Sequence, residues 1–303
     1  METSPYLHRI GMSERITPDL QNLVRLQSNH MFHVPFENFD IYNGIPVKFS
    51  VESFYRKIVS RKRGGYCYEL NGLFHWLLRS LGYDSMLISA LVAEKGGFLT
   101  EFEHMAIVVT ILGQRYLVDV GFGDNPLTPM ALIPGKIQTD AMSDYHIADD
   151  SVVDGKNHLS LEKWNPVSRT FVTKYYFTLA PRSLEYFEIM HQYQEVVPSS
   201  YYKRRLICSL PTSDGRISLV GNRLIETVGN RRRIRTIEDI EEMARVGRAF
   251  FDLDVSFGET SEPIEKVPVA VTPAHPGNVD HRTTRFYPFS AQRTSSLNFG
   301  RLP

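Results

Sequence analysis

Leu70, Leu73, Phe74, Leu77, Leu78 and Leu81 fall at helical spacing and draw one continuous apolar stripe along an α-helix. A stripe of that width has to be buried against another layer, so it commits this part of the chain to a core helix. Gly82 supplies the stop after the last apolar position. Three positions before Leu70 the stripe passes through Cys67. The cysteine therefore sits in the first helical turn, on the buried face, just after Gly64-Gly65.

Upstream, Thr17-Pro18 reads as a helix start, with Thr17 as N-cap and the proline ring already set for the first helical position. Leu20, Leu23, Val24, Gln27 and Met31 continue that helix, which must stop before Pro35. A second helix is expected over 52–60, ending in Arg61-Lys62-Arg63, a basic run that compensates the helix dipole on a solvated face. From residue 85 the apolar period changes to two. Segments 85–92, 105–112 and 115–120 read as strands, with Gly113 marking a tight connection, and 159–164 and 171–179 add further strand-like runs. After Pro181 come a helix carrying Leu184, Phe187 and Met190, then a hairpin of 206–210 and 216–220 turned by Asp214-Gly215. Thr236 and Asp239 resemble a capping box for a last helix through 249, and Arg231-Arg232-Arg233 reads as a solvated turn. Beyond 260, frequent prolines and no periodicity predict a largely irregular extension.

Composition narrows what such a chain does. Lys+Arg and Asp+Glu stand at 34 each, a balance that leaves no electrostatic footprint for nucleic acid or an acidic membrane surface. No apolar run approaches the ~18 residues of a membrane span, and METSPYLHRIGMSERI lacks the pattern of a signal peptide. Two cysteines argue against a disulfide framework or a cysteine-based zinc site. The expectation is a soluble cytoplasmic protein with no metal, since the histidines also lack ligand spacing.

Cys67 is the first candidate for chemistry. A helix N-terminus offers unpaired N–H groups and about half a positive charge, which favour a thiolate. His104 opens a strand, and Asp119 lies in the next one among large apolar residues, where a carboxylate needs a partner. Their odd separation puts both side chains on one face of a two-residue hairpin. The simplest register nevertheless leaves them two to four residues apart, roughly 7–13 Å at strand rise, a gap for a bulge, a twist or a longer turn to close. Together the three residues make a thiol, an imidazole to take its proton and a carboxylate to steer the imidazole. Gly121-Phe122-Gly123 follows a strand without the rest of a phosphate loop. Cys208 reads as core.

At this point the sequence resembles a family. Val34-Pro35-Phe36-Glu37-Asn38, Arg63-Gly64-Gly65-Tyr66-Cys67-Tyr68-Glu69-Leu70-Asn71, the strand opened by His104, Val118-Asp119-Val120-Gly121-Phe122-Gly123 and Cys208-Ser209-Leu210-Pro211-Thr212-Ser213-Asp214-Gly215-Arg216 are similar to the ordered motifs of the arylamine N-acetyltransferases. The resemblance implies an α+β chain with a papain-like Cys-His-Asp core. Its parts would be a helical domain over 1–83 carrying the nucleophile, a β-barrel-like domain over 84–180 carrying His and Asp, and an α/β lid domain over 181–260. The 261–303 extension matches nothing in the family. By the same resemblance Cys67, His104 and Asp119 form the triad, and Arg63 and Glu37 a supporting polar pair. Phe36 and Phe122 would border the acceptor, and Thr100 falls where the family contacts coenzyme A.

The implied activity is acetyl transfer from acetyl-CoA to small aromatic amines or hydrazines through an acetyl-cysteine, in ping-pong order. A thiol amidase or peptidase would use the same triad with water as acceptor, though no matching local signature supports it. A binding module that kept the fold is the non-enzymatic alternative.

Overall fold

In the computed structural model, which describes residues 1–93, 101–153, 155–198, 200–229 and 231–254, the chain opens with helices α1 (Thr3–Arg9) and α2 (Leu20–His33). α2 starts later than the sequence suggests, because Asp19 and not Thr17 is its cap. The Asp19 carboxylate accepts the Asn22 N–H at 2.8 Å, and the Thr17 hydroxyl donates to the same group. A carboxylate opposes the positive helix end better than a hydroxyl does. Past α2, Val34 turns to extended backbone, as a residue before proline should.

Next come β1 (Phe36–Glu37), α3 (Phe39–Tyr42) and α4 (Val51–Tyr55). α4 runs straight into one π-helical turn, Arg56–Ser60, in which the Arg61 N–H donates to the Arg56 carbonyl. The helix expected over 52–60 is therefore present, with its last turn widened and Lys57 buried. α5 (Cys67–Ser80) begins at Cys67, and Leu70, Leu73, Phe74, Leu77 and Leu78 are all fully covered.

The middle of the chain is antiparallel: β2 (Asp84–Val92), β3 (His104–Ile111), β4 (Gln114–Val118), β5 (Met130–Ala131), β6 (Gln138–Thr139), β7 (Asp144–Val153), β8 (Lys156–Asn165) and β9 (Thr170–Phe177). They order as β5-β4-β3-β2-β9-β8-β7-β6. The two edges are tied together, since the Ala131 N–H donates to Gln138 Oε1 at 2.8 Å and Gln138 Nε2 donates to the Ala131 carbonyl at 3.0 Å. The sheet is thus nearly closed into a barrel. β3 is buried on both faces and serves two cores. Met105, Ile107 and Val109 join the helical layer around α5, while Ala106 and Val108 face the barrel interior with Leu117, Tyr145, Ile147, Tyr175 and Phe177.

A 3₁₀ turn, Leu184–Phe187, leads into α6 (Glu188–Val196) and α7 (Tyr201–Arg204). The second sheet has the order β1-β10-β11-β12-β13, with β10 (Ile207–Thr212), β11 (Gly215–Val220), β12 (Arg223–Val228) and β13 (Arg231–Thr236). β1 joins it through Phe36 opposite Ser209 and Glu37 opposite Cys208, so the first motif of the chain is stitched to the last. α8 (Ile240–Phe251) covers this sheet with Met243, Val246 and Phe251.

Three local expectations are corrected here. Thr212 pairs with Gly215, so the hairpin turn is Ser213-Asp214 and Gly215 already belongs to β11. The triple arginine is an edge strand paired to β12, its side chains in water, and no turn. Asp239 is itself the N-cap of α8, accepting the Glu242 N–H at 2.6 Å. The expectation for 261–303 lies outside the described residues. Among the described residues no helix is long and apolar enough to cross a membrane.

Candidate active site

The approach to Cys67 is set by a backbone crossing. The Glu37 N–H donates to the Gly65 carbonyl at 2.8 Å, and the Gly65 N–H to the Pro35 carbonyl at 3.3 Å. A Cβ on Gly64 would lie 2.1 Å from the Pro35 oxygen, so only glycine lets the two segments meet. Cys67 then opens α5 with 1% of its surface exposed. On its other side, a Cβ on Gly121 would stand 2.8 Å from Cys67 Cα and 2.6 Å from Asn71 Nδ2. The chain leaving β4 therefore lies directly on the first turn of α5.

His104 and Asp119 meet, with Nε2 2.7 Å from Oδ2. The hairpin between β3 and β4 turns at Leu112-Gly113, with Ile111 opposite Gln114 and Ile107 opposite Val118. That register leaves His104 two positions out of step with Asp119, as the simple hairpin implies. No bulge closes the gap. The two side chains are diagonal neighbours on one face, within reach of a ring as long as imidazole, and the chain leaves the ladder after Val118.

Asp119 collects three further donors. Asn71 Nδ2 and the Gly121 N–H each reach Oδ1 at 2.9 Å, and the Tyr175 hydroxyl reaches Oδ2 at 3.0 Å. Burial works to raise this carboxyl, but His104 and the hydrogen bonds from His104, Asn71 and Gly121 outweigh it and hold the group below the ordinary carboxylate range. Asp119 is thus a buried, ionised acceptor that fixes Nε2 of His104, leaving Nδ1 as the other ring nitrogen. The Phe122 ring stands edge-on to His104 at 5.1 Å and to Tyr175 at 5.2 Å.

Burial pushes the Cys67 thiol up, and the Asp119 charge adds to that, while backbone N–H groups of Tyr68 and Met105 bonded to the sulfur pull it down. A lone thiolate is therefore disfavoured here. Moving the thiol proton to an imidazole beside Asp119 is different, because the net charge of the group does not change. Cys208 offers no such compensation. It is fully buried in β10, and burial, with the Glu37 charge adding to it and Arg63 opposing, drives its thiol well above the ordinary value.

A second polar cluster lies on the opposite side of the α5 N-terminus. Arg63 reaches Glu37 Oε1 through Nε at 3.0 Å and Nη2 at 2.8 Å, as the sequence motif implies, and also reaches Asp40 at 2.9 Å. Lys57 joins this cluster as well. Its Nζ lies 2.8 Å from both Asp40 Oδ2 and Glu69 Oε2 and 3.7 Å from Glu37 Oε1. The signal available in the sequence was a lysine on the inner face of its helix, three residues after Phe54 and next to Ile58. Burial works against its charge, and the three carboxylates more than restore it. Glu69, buried and only partly offset by Lys57, is pushed up to about 7.

Asn71 and Tyr175, which orient Asp119, are not singled out by the sequence pattern. Asn71 had a signal, since it lies one helical turn after Cys67; Tyr175 sits 56 residues from its partner and had none. Phe36 is buried in β1 beside Gly123 and 6.1 Å from the Tyr202 ring. Thr100 lies outside the described residues. Among the described residues no group of three or more His, Cys, Asp or Glu side chains is arranged to hold a metal ion.

Residues 19–260 match a family model described as N-acetyltransferase. The chain is 31% identical over 237 residues to the arylamine N-acetyltransferase liver isozyme of Gallus gallus, covering 73% of this chain and 83% of that protein. It is 32% identical over 238 residues to arylamine N-acetyltransferase 1 of Homo sapiens, covering 73% and 81%. Among solved structures, the M. smegmatis arylamine N-acetyl transferase superposes with a TM-score of 0.77 at 30% identity, over 84% of this chain and 93% of that one. The Mycobacterium marinum arylamine N-acetyltransferase in complex with CoA gives 0.76 at 29% identity over the same shares.

Proposed function

The chain belongs to the arylamine N-acetyltransferase family, and from that premise we propose that the acetyl group travels through Cys67 while His104 moves the proton and Asp119 holds His104 in place. The overall reaction is acetyl-CoA-dependent N-acetylation of an arylamine. The observation that carries the proposed route is the four-donor Asp119, bonded to His104 and lying against the first turn of the Cys67 helix.

In the first half-reaction the Cys67 thiol proton passes to His104, and the sulfur attacks the thioester carbonyl of acetyl-CoA. The carbon–sulfur bond to CoA breaks, and the CoA thiolate takes the proton from His104. Exchange of one thioester for another is nearly balanced, so the loaded enzyme can wait. In the second, the amine nitrogen attacks the acetyl carbonyl and His104 accepts its proton. The carbon–sulfur bond to Cys67 breaks, and the thiolate–imidazolium pair is restored. We assign a developing oxyanion to the backbone N–H groups at the start of α5.

Phe122, against His104, is an apolar wall for an aryl ring, and we assign Phe36 the same role on the side of β1. Thr100, four residues before His104, is assigned to the CoA side. Arg63 and Glu37 support the Cys67 approach. Aryl hydrazines present the same nucleophilic nitrogen and are included as acceptors. Two free cysteines and a reaction that needs one of them as a thiol suit the reducing cytoplasm.

The test is incubation of the full chain with acetyl-CoA and no amine, followed by peptide mapping. The expected result is one acetyl group on the Cys67 peptide, stable until an arylamine is added, with release of CoA in the first step. Rapid hydrolysis of acetyl-CoA would mark an amidase-like reaction, and no acylation would remove Cys67 from the route.

A further inference from the structure

Lys57 sits where a lysine is costly. It is on the inner face of the π-helical turn after α4, next to the fully covered Ile58, and only 9% of it is exposed. π turns change which side chain faces inward, and they cluster at functional sites. Here the turn delivers one ammonium to two carboxylate oxygens at 2.8 Å, those of Asp40 and Glu69. Neither the transfer chemistry nor the Arg63–Glu37 pair requires it.

What Glu69 does with the same oxygen gives Lys57 a purpose. Glu69 is the third residue of α5, two after Cys67, and its Oε2 also accepts the Tyr66 N–H at 3.1 Å. One carboxylate oxygen thus ties the residue before the nucleophile to the residue two after it. The segment entering this turn is Gly64-Gly65, which has no side chains to limit its own path. A Cβ on Gly65 would fall 2.9 Å from Glu69 Cβ, so Glu69 packs directly on that segment. The same Lys57 ammonium reaches Asp40 in α3, which Arg63 also holds. It therefore braces the α5 entrance against two other elements.

We propose that Lys57 is a positioning residue for the transfer reaction: through Glu69 its ammonium fixes the first turn of α5, and with it the position of the Cys67 thiol whose proton His104 is proposed to take. The proposal rests on the reading of Cys67 as the acyl carrier. The competing role is mere neutralisation of buried carboxylates, which any cation would perform. Arginine separates the two, because it keeps the charge but cannot set one point charge at the same distance from Asp40 and Glu69.

The experiment uses the full chain as wild type, Lys57→Arg, Lys57→Met, Glu69→Gln and the double variant Lys57→Met/Glu69→Gln. Three quantities are read: the rate at which iodoacetamide alkylates Cys67 at pH 7, kcat and KM for an arylamine, and Tm. Positioning makes both Lys57 variants lose about tenfold or more in Cys67 alkylation and in kcat, with the amine KM changed less than about threefold. Glu69→Gln should show the same loss, and the double variant should be no worse than Lys57→Met, because both act on one contact. Unchanged alkylation and kcat in folded Lys57→Arg would overturn the proposal, as would losses that multiply in the double variant. If Lys57→Met fails to fold, Lys57→Arg and Glu69→Gln decide the matter alone. Should the wild type alkylate at Cys67 yet transfer no acetyl group, the functional reading fails while the comparison among variants still stands.

Discussion

His104 and His30 are withdrawn from water to the same degree, at 2% and 0% exposure, yet their rings meet opposite surroundings. His30, in α2, shares a hydrogen bond between Nδ1 and the Tyr6 hydroxyl at 2.9 Å, and its ring stands edge-on to Phe74 at 5.1 Å. Burial, reinforced by the positive charges of Arg9 and His33, pushes it down to about 3 and keeps it neutral. His104 has the ionised Asp119 at 2.7 Å and the rings of Phe122 and Tyr175 each 5.1 Å from its own. Burial alone makes an inert core histidine. Burial with a fixed carboxylate makes a ring whose protonated form has a counter-charge waiting.

The largest effect should come from removing that counter-charge. Asp119→Asn keeps the size of the side chain but sets an amide among donors, and kcat should fall by about 10³–10⁴-fold. The same change should cost about 1–3 kcal/mol of stability from mismatched hydrogen bonds, read by urea unfolding. A variant with near wild-type turnover would place the chemistry elsewhere.

The next effect concerns His30 and shows only in stability. Its folded value lies below the ordinary 6.5, so between about pH 3 and 6.5 the unfolded chain binds the extra proton. The stability that neutral His30 contributes is fully present above pH 6.5 and is lost as pH falls, by up to ~1.4 kcal/mol per pH unit. His30→Gln should flatten the urea-unfolding profile between pH 6.5 and 4.5 while leaving kcat per folded molecule unchanged. An equally steep profile would mean that the His30 environment is not what sets the acid sensitivity.

Tyrosines give the smallest contrast. Tyr175 donates to Asp119 while Tyr6 pairs with His30. Removing the Tyr175 hydroxyl leaves Asp119 its three other partners, so Tyr175→Phe should lower kcat/KM by about tenfold or less in steady-state assays. A loss as large as that of Asp119→Asn would show that the hydroxyl and not the imidazole is the essential partner of the carboxylate.

The same contrast explains what was legible in the sequence. The stripe from Leu70 to Leu81 reads directly because helical period and burial coincide, and it places Cys67 in the first turn. Strands β2, β3 and β4 read well because Val, Ile and Leu fill them. Long-range pairing leaves no local mark. β1 is two residues long and finds its partners at Cys208 and Ser209, while β7 carries Asp144 and Asp149 and shows no apolar run. Lys57 and the triple arginine mislead in opposite ways. A basic residue ordinarily marks a solvated face, yet Lys57 is buried by its three carboxylates, and 231–233 are solvated in a strand where a turn was expected. The apolar neighbours of Asp119 announce that it needs a partner, but the diagonal contact that supplies it depends on side-chain reach and not on register.

On the proposed route Asp119, through His104, makes the Cys67 thiol reactive, and the pH profile of Cys67 alkylation by iodoacetamide reads that dependence. Burial and the Asp119 charge disfavour a lone thiolate, so on the proposed route reactivity near neutral pH depends on transfer of the thiol proton to His104. Wild type is expected to alkylate at Cys67 well below pH 7, and Asp119→Asn only as pH approaches or passes the free-thiol value of about 8.5. Superimposable profiles for the two proteins, or a wild-type profile that rises only near pH 8.5, would rule out activation of Cys67 through Asp119 and His104.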